Sequence, residues 1–194
     1  MTDFVLASTS PRRHALLREA GYLFSALDPG DDGPGVSLNP GERVLEHAEH
    51  KVRSGAHQAP NQLVLASDTL VWCAGEFLPK PGDRGDAERM LRLLESREHE
   101  VWTGVCLLDA SSGQIWSEAA SARVRFGVIP AEERTAYLAT TEWCDKAGAY
   151  AIQGTAGRWC KLVDGDYNTV VGLPLEVVSR LLAQAKACSE PNER

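Results

Sequence analysis

Leu6-Ala7-Ser8-Thr9-Ser10-Pro11-Arg12-Arg13 decides how the first part of this chain folds. Phe4, Val5, Leu6 and Ala7 read as a short buried strand. Ser10 is a good N-cap, and Pro11 suits the first helical position, where its missing N–H would have no partner in any case. Gly21 closes the pattern, so a helix over 11–20 is expected directly after a strand. Its first turn would offer unpaired backbone N–H groups and the positive end of the dipole, to which Arg12 and Arg13 add fork-shaped cationic donors. A phosphate chain is the natural ligand of that arrangement. A capped helix whose arginines merely face water has the same signature, so the remaining segments must decide.

At 194 residues, with 43% hydrophobic and 24% charged residues, the chain has the size and composition of one globular domain, whole or split into two lobes around a cleft. The net charge of −7 argues against nucleic-acid or membrane-surface partners, so a polyanion would have to be met by a local basic cluster. The five cysteines are odd in number and widely spaced, with no Cys-x-x-Cys pair, which fits neither a disulfide framework nor a zinc site. A reducing cytoplasm suits them. No apolar run reaches membrane-spanning length, and no basic segment precedes an apolar core at the start, so neither a membrane span nor an export signal is expected.

Strand and helix patterns alternate, which points to an α/β fold. A strand over 22–27 leads into a turn-rich acidic loop over 28–36. Asn39 and Pro40 open a helix with Val44, Leu45, Ala48 and Val52 on one face, expected to stop at Gly55. A buried strand over 63–67 is expected to break at Asp68 and Thr69 and resume over 70–73, with a tight turn at Gly75. A helix over 86–96 carries Ala87, Met90, Leu91 and Leu94 as a stripe. Two long antiparallel strands over 100–109 and 114–129 flank the turn Ser111-Ser112-Gly113. Pro130 opens a further helix to about 140, a glycine-bracketed segment covers 148–154, and an amphipathic helix covers 175–188. The polar tail 189–194 is expected to fray.

Several residues have the chemistry of a phosphate site. Asp68 follows an apolar strand, where an ionised carboxylate is costly unless paired or coordinated, so it is a candidate base or metal ligand as well as a candidate turn former. Lys80 is a point charge beside Pro81, and lysines in such places are commonly just solvated. Asp31 and Asp32 suit a hard cation, since Mg²⁺ takes one or two carboxylates plus substrate phosphates; a flexible acidic loop can equally be only hydrated. His47 and His50 stand three apart on a helix, but no third ligand has suitable spacing, so a transition-metal site is not expected. P-loop and serine-hydrolase motifs are absent. The charges that remain suggest a metal-bridged polyphosphate.

Taken in order, residues 6–13, Ser67-Asp68-Thr69, Lys80-Pro81, residues 145–154 and residues 170–175 closely resemble the Maf family of nucleotide pyrophosphatases over nearly the whole chain. The resemblance implies an α/β, ITPase-like fold: an elongated mixed sheet with flanking helices, in two lobes around a central cleft, as a single domain over 1–194. It implies hydrolysis of a nucleoside triphosphate to the monophosphate and pyrophosphate with Mg²⁺ or Mn²⁺, in a homodimer. It makes Asp68 the general base, Ser8, Arg12, Arg13, Lys51 and Lys80 phosphate-binding groups, and Thr69 and Gln153 determinants of base choice. The branch with Arg13, the Asp68-Thr69 pair and Ile152-Gln153-Gly154 acts on dTTP and UTP, whereas the sister branch acts on 7-methyl-GTP. The family usually places a Glu in the loop after the second strand; here Asp31-Asp32-Gly33 stands there, so the metal would be held by Asp32 and Asp68. The alternatives are a pyrophosphatase of modified purine nucleotides and a nucleotide-binding regulator of cell division with little turnover.

Overall fold

A computed structural model describes residues 3–189. Its strands are β1 (Phe4–Ala7), β2 (Phe24–Leu27), β3 (Leu63–Cys73), β4 (Glu76–Leu78), β5 (Glu98–Asp109), β6 (Ile115–Phe126) and β7 (Cys160–Asp164). Its helices are α1 (Pro11–Glu19), α2 (Pro40–Gln58), α3 (Arg84–Leu94), α4 (Ala131–Leu138), α5 (Tyr167–Val171) and α6 (Leu175–Ser189). The strands form one mixed sheet in the order β2-β1-β3-β5-β6-β7, with β4 paired to β3. β1 runs parallel to β2 and β3, while β4 lies antiparallel to β3 and β7 antiparallel to β6. The expected α/β class with a mixed sheet and flanking helices is what forms.

The described residues divide into two compact units, one of residues 3–68, 103–120 and 172–189, the other of residues 69–102 and 121–171. Each has its own core. In the first, Val5, Ala7, Val64, Ala66, Cys106 and Leu108 from the strands pack with Ala48 and Val52 of α2. Asn39 caps α2 by accepting from the Glu42 N–H at 3.2 Å, as its position predicts. Gly104 of β5 carries no Cβ because one there would meet the Val44 carbonyl oxygen at 2.6 Å, so α2 lies very close to the strand. Lys51 is buried on the same helical face as Val44, Ala48 and Val52, a cation on an apolar stripe. In the second unit, Ala87, Met90, Leu91 and Leu94 form the buried stripe of α3, packed with Leu78, Phe126, Ile129, Tyr137, Tyr150 and Trp159. Each such aliphatic side chain contributes on the order of 1.5–3 kcal/mol by leaving water.

Three local expectations are corrected. β3 does not break at Asp68 and Thr69 but runs unbroken to Cys73. Asp68 therefore lies within a strand, between the parallel pairing of Val64 and Leu65 with β1 and the antiparallel pairing of Val71 to Cys73 with β4. The carboxylate needs no turn because side chains of α2 pair it. Ser10 occupies the N-cap of α1 but makes no side-chain cap; its own N–H instead donates to Ser8 Oγ at 3.2 Å. The segment 148–154 lies beside two short 3₁₀ turns, Ala147–Ala149 and Thr155–Arg158, and is followed by β7 and α5, neither of which the residue pattern announced. The turn at Ala74 and Gly75 forms as expected, with φ of 52° and 83°, the pair of positive angles that a two-residue hairpin requires. Residues 190–194 of the tail lie outside the described residues, and no helix among the described residues is long and apolar enough to cross a membrane.

Candidate active site

The first unit gathers its buried charges at one place. Lys51 and Asp68 are each 5% exposed, and Lys51 Nζ donates to Asp68 Oδ1 at 2.6 Å. The same ammonium lies 2.6 Å from Asp32 Oδ1 on the acidic loop. His47, one helical turn before Lys51 on α2, places Nδ1 2.9 Å from Asp68 Oδ2. An ionised carboxylate only accepts, so Nδ1 is the donor. Both Asp68 oxygens are thus engaged, which is how a largely apolar strand tolerates a buried carboxylate. Burial pushes the Asp68 carboxyl up, but the His47 hydrogen bond, the Lys51 charge and hydrogen bond, and the Arg13 charge outweigh it and hold the group below its ordinary range.

Arg13 joins this cluster from α1. Its Nε donates to the Gly172 carbonyl at 2.9 Å, and the same carbonyl accepts from Ser67 Oγ at 3.0 Å. A second guanidinium nitrogen lies 3.5 Å from Ser8 Oγ, while His14 Nε2 lies 2.8 Å from the Ser8 carbonyl. Burial lowers the Arg13 guanidinium from its ordinary range, opposed by the Asp68 charge, with smaller effects of Arg12 and Asp32. Arg12, Arg13, Asp32 and Asp68 therefore share one electrostatic neighbourhood. Six of the sequence-predicted residues, Ser8, Arg12, Arg13, Asp32, Lys51 and Asp68, belong to the first unit. Thr69, Lys80 and Gln153 belong to the second. There Thr69 continues β3 and is half-buried, and Lys80 is exposed after β4. Gln153 is exposed as well, in contrast to the buried base contact that its amide suggests.

The donor chemistry suits a hard divalent cation. Two carboxylate oxygens, one from Asp32 and one from Asp68, converge on a single cationic atom, and Mg²⁺ characteristically takes one or two carboxylates while phosphates and water fill its other positions. Among the described residues no group of three or more His, Cys, Asp and Glu side chains could hold a metal by itself. His47 is the site residue that the sequence reading set aside. Its spacing to Lys51 on α2 was the available signal, since residues four apart share a helical face.

Basic groups at the start of α1, a buried lysine and two converging carboxylates define a protein that handles phosphate chains. The sequence profile of the Maf-like proteins matches residues 3–185, and the chain belongs to the Maf family. It is 40% identical over 183 residues to a dTTP/UTP pyrophosphatase of Pelotomaculum thermopropionicum, covering 94% of this chain and 96% of the relative. It is 43% identical over 183 residues to a dTTP/UTP pyrophosphatase of Geobacter sp., covering 93% and 94%. A dTTP/UTP pyrophosphatase of Bdellovibrio bacteriovorus is 38% identical over 186 residues, with 93% and 97% covered. Among solved structures, the Ham1 protein of Staphylococcus aureus aligns with a TM-score of 0.46 at 14% identity, over 63% of this chain and 70% of its own. Likeness at that level says nothing of what this chain acts on.

Proposed function

We propose that this chain is a nucleoside triphosphate pyrophosphatase that hydrolyses dTTP and UTP to the monophosphate and pyrophosphate. The single observation that carries the reading is the buried Lys51 ammonium shared by Asp32 and Asp68, each at 2.6 Å. The names of relatives near 40% identity over most of the chain support the substrate class. The work would be done in a reducing cytoplasm, as the unpaired spacing of the cysteines suggests, by a homodimer, as the family resemblance implies, and sedimentation equilibrium decides the assembly.

Asp68 is the group to accept a proton from the water that attacks the α-phosphorus in line with the departing pyrophosphate. Held below the ordinary carboxylate range, it is in the ionised form, the one that can accept a proton, throughout the neutral range. Positioned base action contributes about 10²–10⁴-fold, so charge stabilisation must supply the remainder. Arg12 and Arg13, at the start of α1, would bind phosphate oxygens together with the first-turn N–H groups. Asp32 and Asp68 would hold Mg²⁺ or Mn²⁺, which supplies Lewis-acid stabilisation of phosphate charge. Lys51 keeps the two carboxylates together by offsetting their repulsion. The parts of Lys80 in phosphate binding and of Thr69 and Gln153 in base choice rest on the sequence resemblance.

A panel of nucleoside triphosphates, assayed for phosphate release in the presence of added inorganic pyrophosphatase, tests the reading. dTTP and UTP should exceed ATP, GTP and 7-methyl-GTP in kcat/KM, and Gln153→Ala should lower the pyrimidine values more than the purine ones. A purine as the best substrate, or an equal loss on all substrates in Gln153→Ala, would overturn the assignment of base choice.

A further inference from the structure

His47 and His50 stand three apart on α2, and the function proposed above uses neither. They do not form a metal pair with any third side chain among the described residues. They are instead the surface on which the acidic loop rests. His50 Nε2 lies 3.3 Å from Asp31 Oδ1, and a Cβ on Gly33 would collide with the His50 ring. A Cβ on Gly35 would collide with His47 Nε2 and with the Arg43 side chain, so at both points the loop backbone lies directly against an imidazole. The opposite edge of the His47 ring is the one bonded to Asp68.

We propose that His47 is a positioning residue for Asp68: Nδ1 fixes the rotation of the carboxylate through Oδ2 while the other ring edge seats Gly35 of the loop that carries Asp32. The terminal torsion of an aspartate is broad and roughly two-fold, so the Lys51 contact on Oδ1 alone leaves the plane of the carboxylate loosely defined. A second donor on Oδ2 defines it, and a base must keep its accepting oxygen in line with the attacking water. The ring is 12% exposed at its side chain and touches no substrate in this scheme; it acts through Asp68 and the loop. The inference rests on Asp68 being the base of the proposed pyrophosphatase.

Three variants separate positioning from packing. His47→Leu keeps bulk and removes the donor, and should lower kcat on dTTP by about 10- to 100-fold, the usual cost of losing a partner that orients a functional group, while KM changes less than about 3-fold. His47→Asn, whose amide nitrogen takes the place of Nδ1, should recover most of kcat. His47→Gln, whose amide reaches towards the Nε2 position, should not. Wild-type kcat in His47→Leu, or equal recovery by Gln and Asn, would overturn the proposal. A thermal cycle of His47→Leu, Asp68→Ala and the double variant reads the contact without any turnover. The double variant should lose less stability than the sum of the single losses, and strict additivity would overturn the proposal too. A wild-type protein that released no pyrophosphate would instead remove the pyrophosphatase reading, with the cycle still deciding whether His47 holds Asp68.

Discussion

Each of the two compact units has an ion pair sheltered from most solvent, and the two pairs are built differently. In the second unit, Arg134 donates to Glu95 Oε2 at 3.0 Å, and Glu95 Oε1 accepts the Ile129 N–H at 2.8 Å. There one cation faces one carboxylate, the remaining contacts of both going to the backbone of Ile129, and the result ties the end of α3 to the segment before α4. In the first unit, one lysine serves two carboxylates and one carboxylate serves both a lysine and a histidine. Charges that outnumber what packing needs, converging on one atom, are expensive to bury and mark a site poised to exchange partners. A one-to-one ion pair backed by backbone contacts suits a structural tie, whereas a shared and crowded one suits a site of chemistry.

Substitution should break the two pairs in opposite ways. Lys51→Met is expected to lower kcat/KM on dTTP by about 100-fold, since the charge that holds the two carboxylates of the proposed site is lost. Steady-state kinetics normalised to folded protein measures it. Arg134→Met should leave kcat/KM of the folded protein unchanged while costing about 3 kcal/mol of stability, because Glu95 and the Ile129 carbonyl lose their cation. Urea denaturation reads that loss, and a comparable activity loss in both variants would erase the distinction.

Much of the frame was readable from residue order because its signals are local. Pro11 and Asn39-Pro40 open helices where expected, Ala74-Gly75 makes the hairpin, and the stripe of α3 comes out with the predicted residues. What was not readable depends on distant partners. β3 continues through Asp68 because Lys51 and His47, 17 and 21 residues earlier, neutralise and bond the carboxylate. A polar pair within an apolar run looks like a break until those partners are placed. β7 and α5, of 5 residues each, are too short for a periodic pattern to stand out. The spacing of His47 to His50 suggests only a metal pair, while the spacing of His47 to Lys51 on the same helical face carries the information.

A smaller effect concerns the second unit and pH. His99 is 3% exposed, lies 2.6 Å from the Tyr150 hydroxyl, and leaves Nδ1 buried without a hydrogen bond. Burial lowers its pKa from 6.5 to about 4. The unfolded chain therefore takes up the proton first as pH falls below 6.5, and stability present above that value is lost on the way towards 4. Between pH 6.5 and 5 the loss from this residue should be about 1.5 kcal/mol. His99→Gln should flatten that part of the curve of melting temperature against pH, and an unchanged slope would place the acid sensitivity elsewhere.

The Asp68 carboxylate, as the proposed base of a pyrophosphate-releasing reaction, is the group on which the chemistry turns. The deciding measurement is kcat for dTTP in the wild type and in Asp68→Asn, with far-ultraviolet circular dichroism confirming that both are folded. The amide keeps the shape and loses the basic oxygen, so kcat should fall by about 100-fold or more while the fold persists. A folded Asp68→Asn protein that turns dTTP over at close to the wild-type rate would contradict the account.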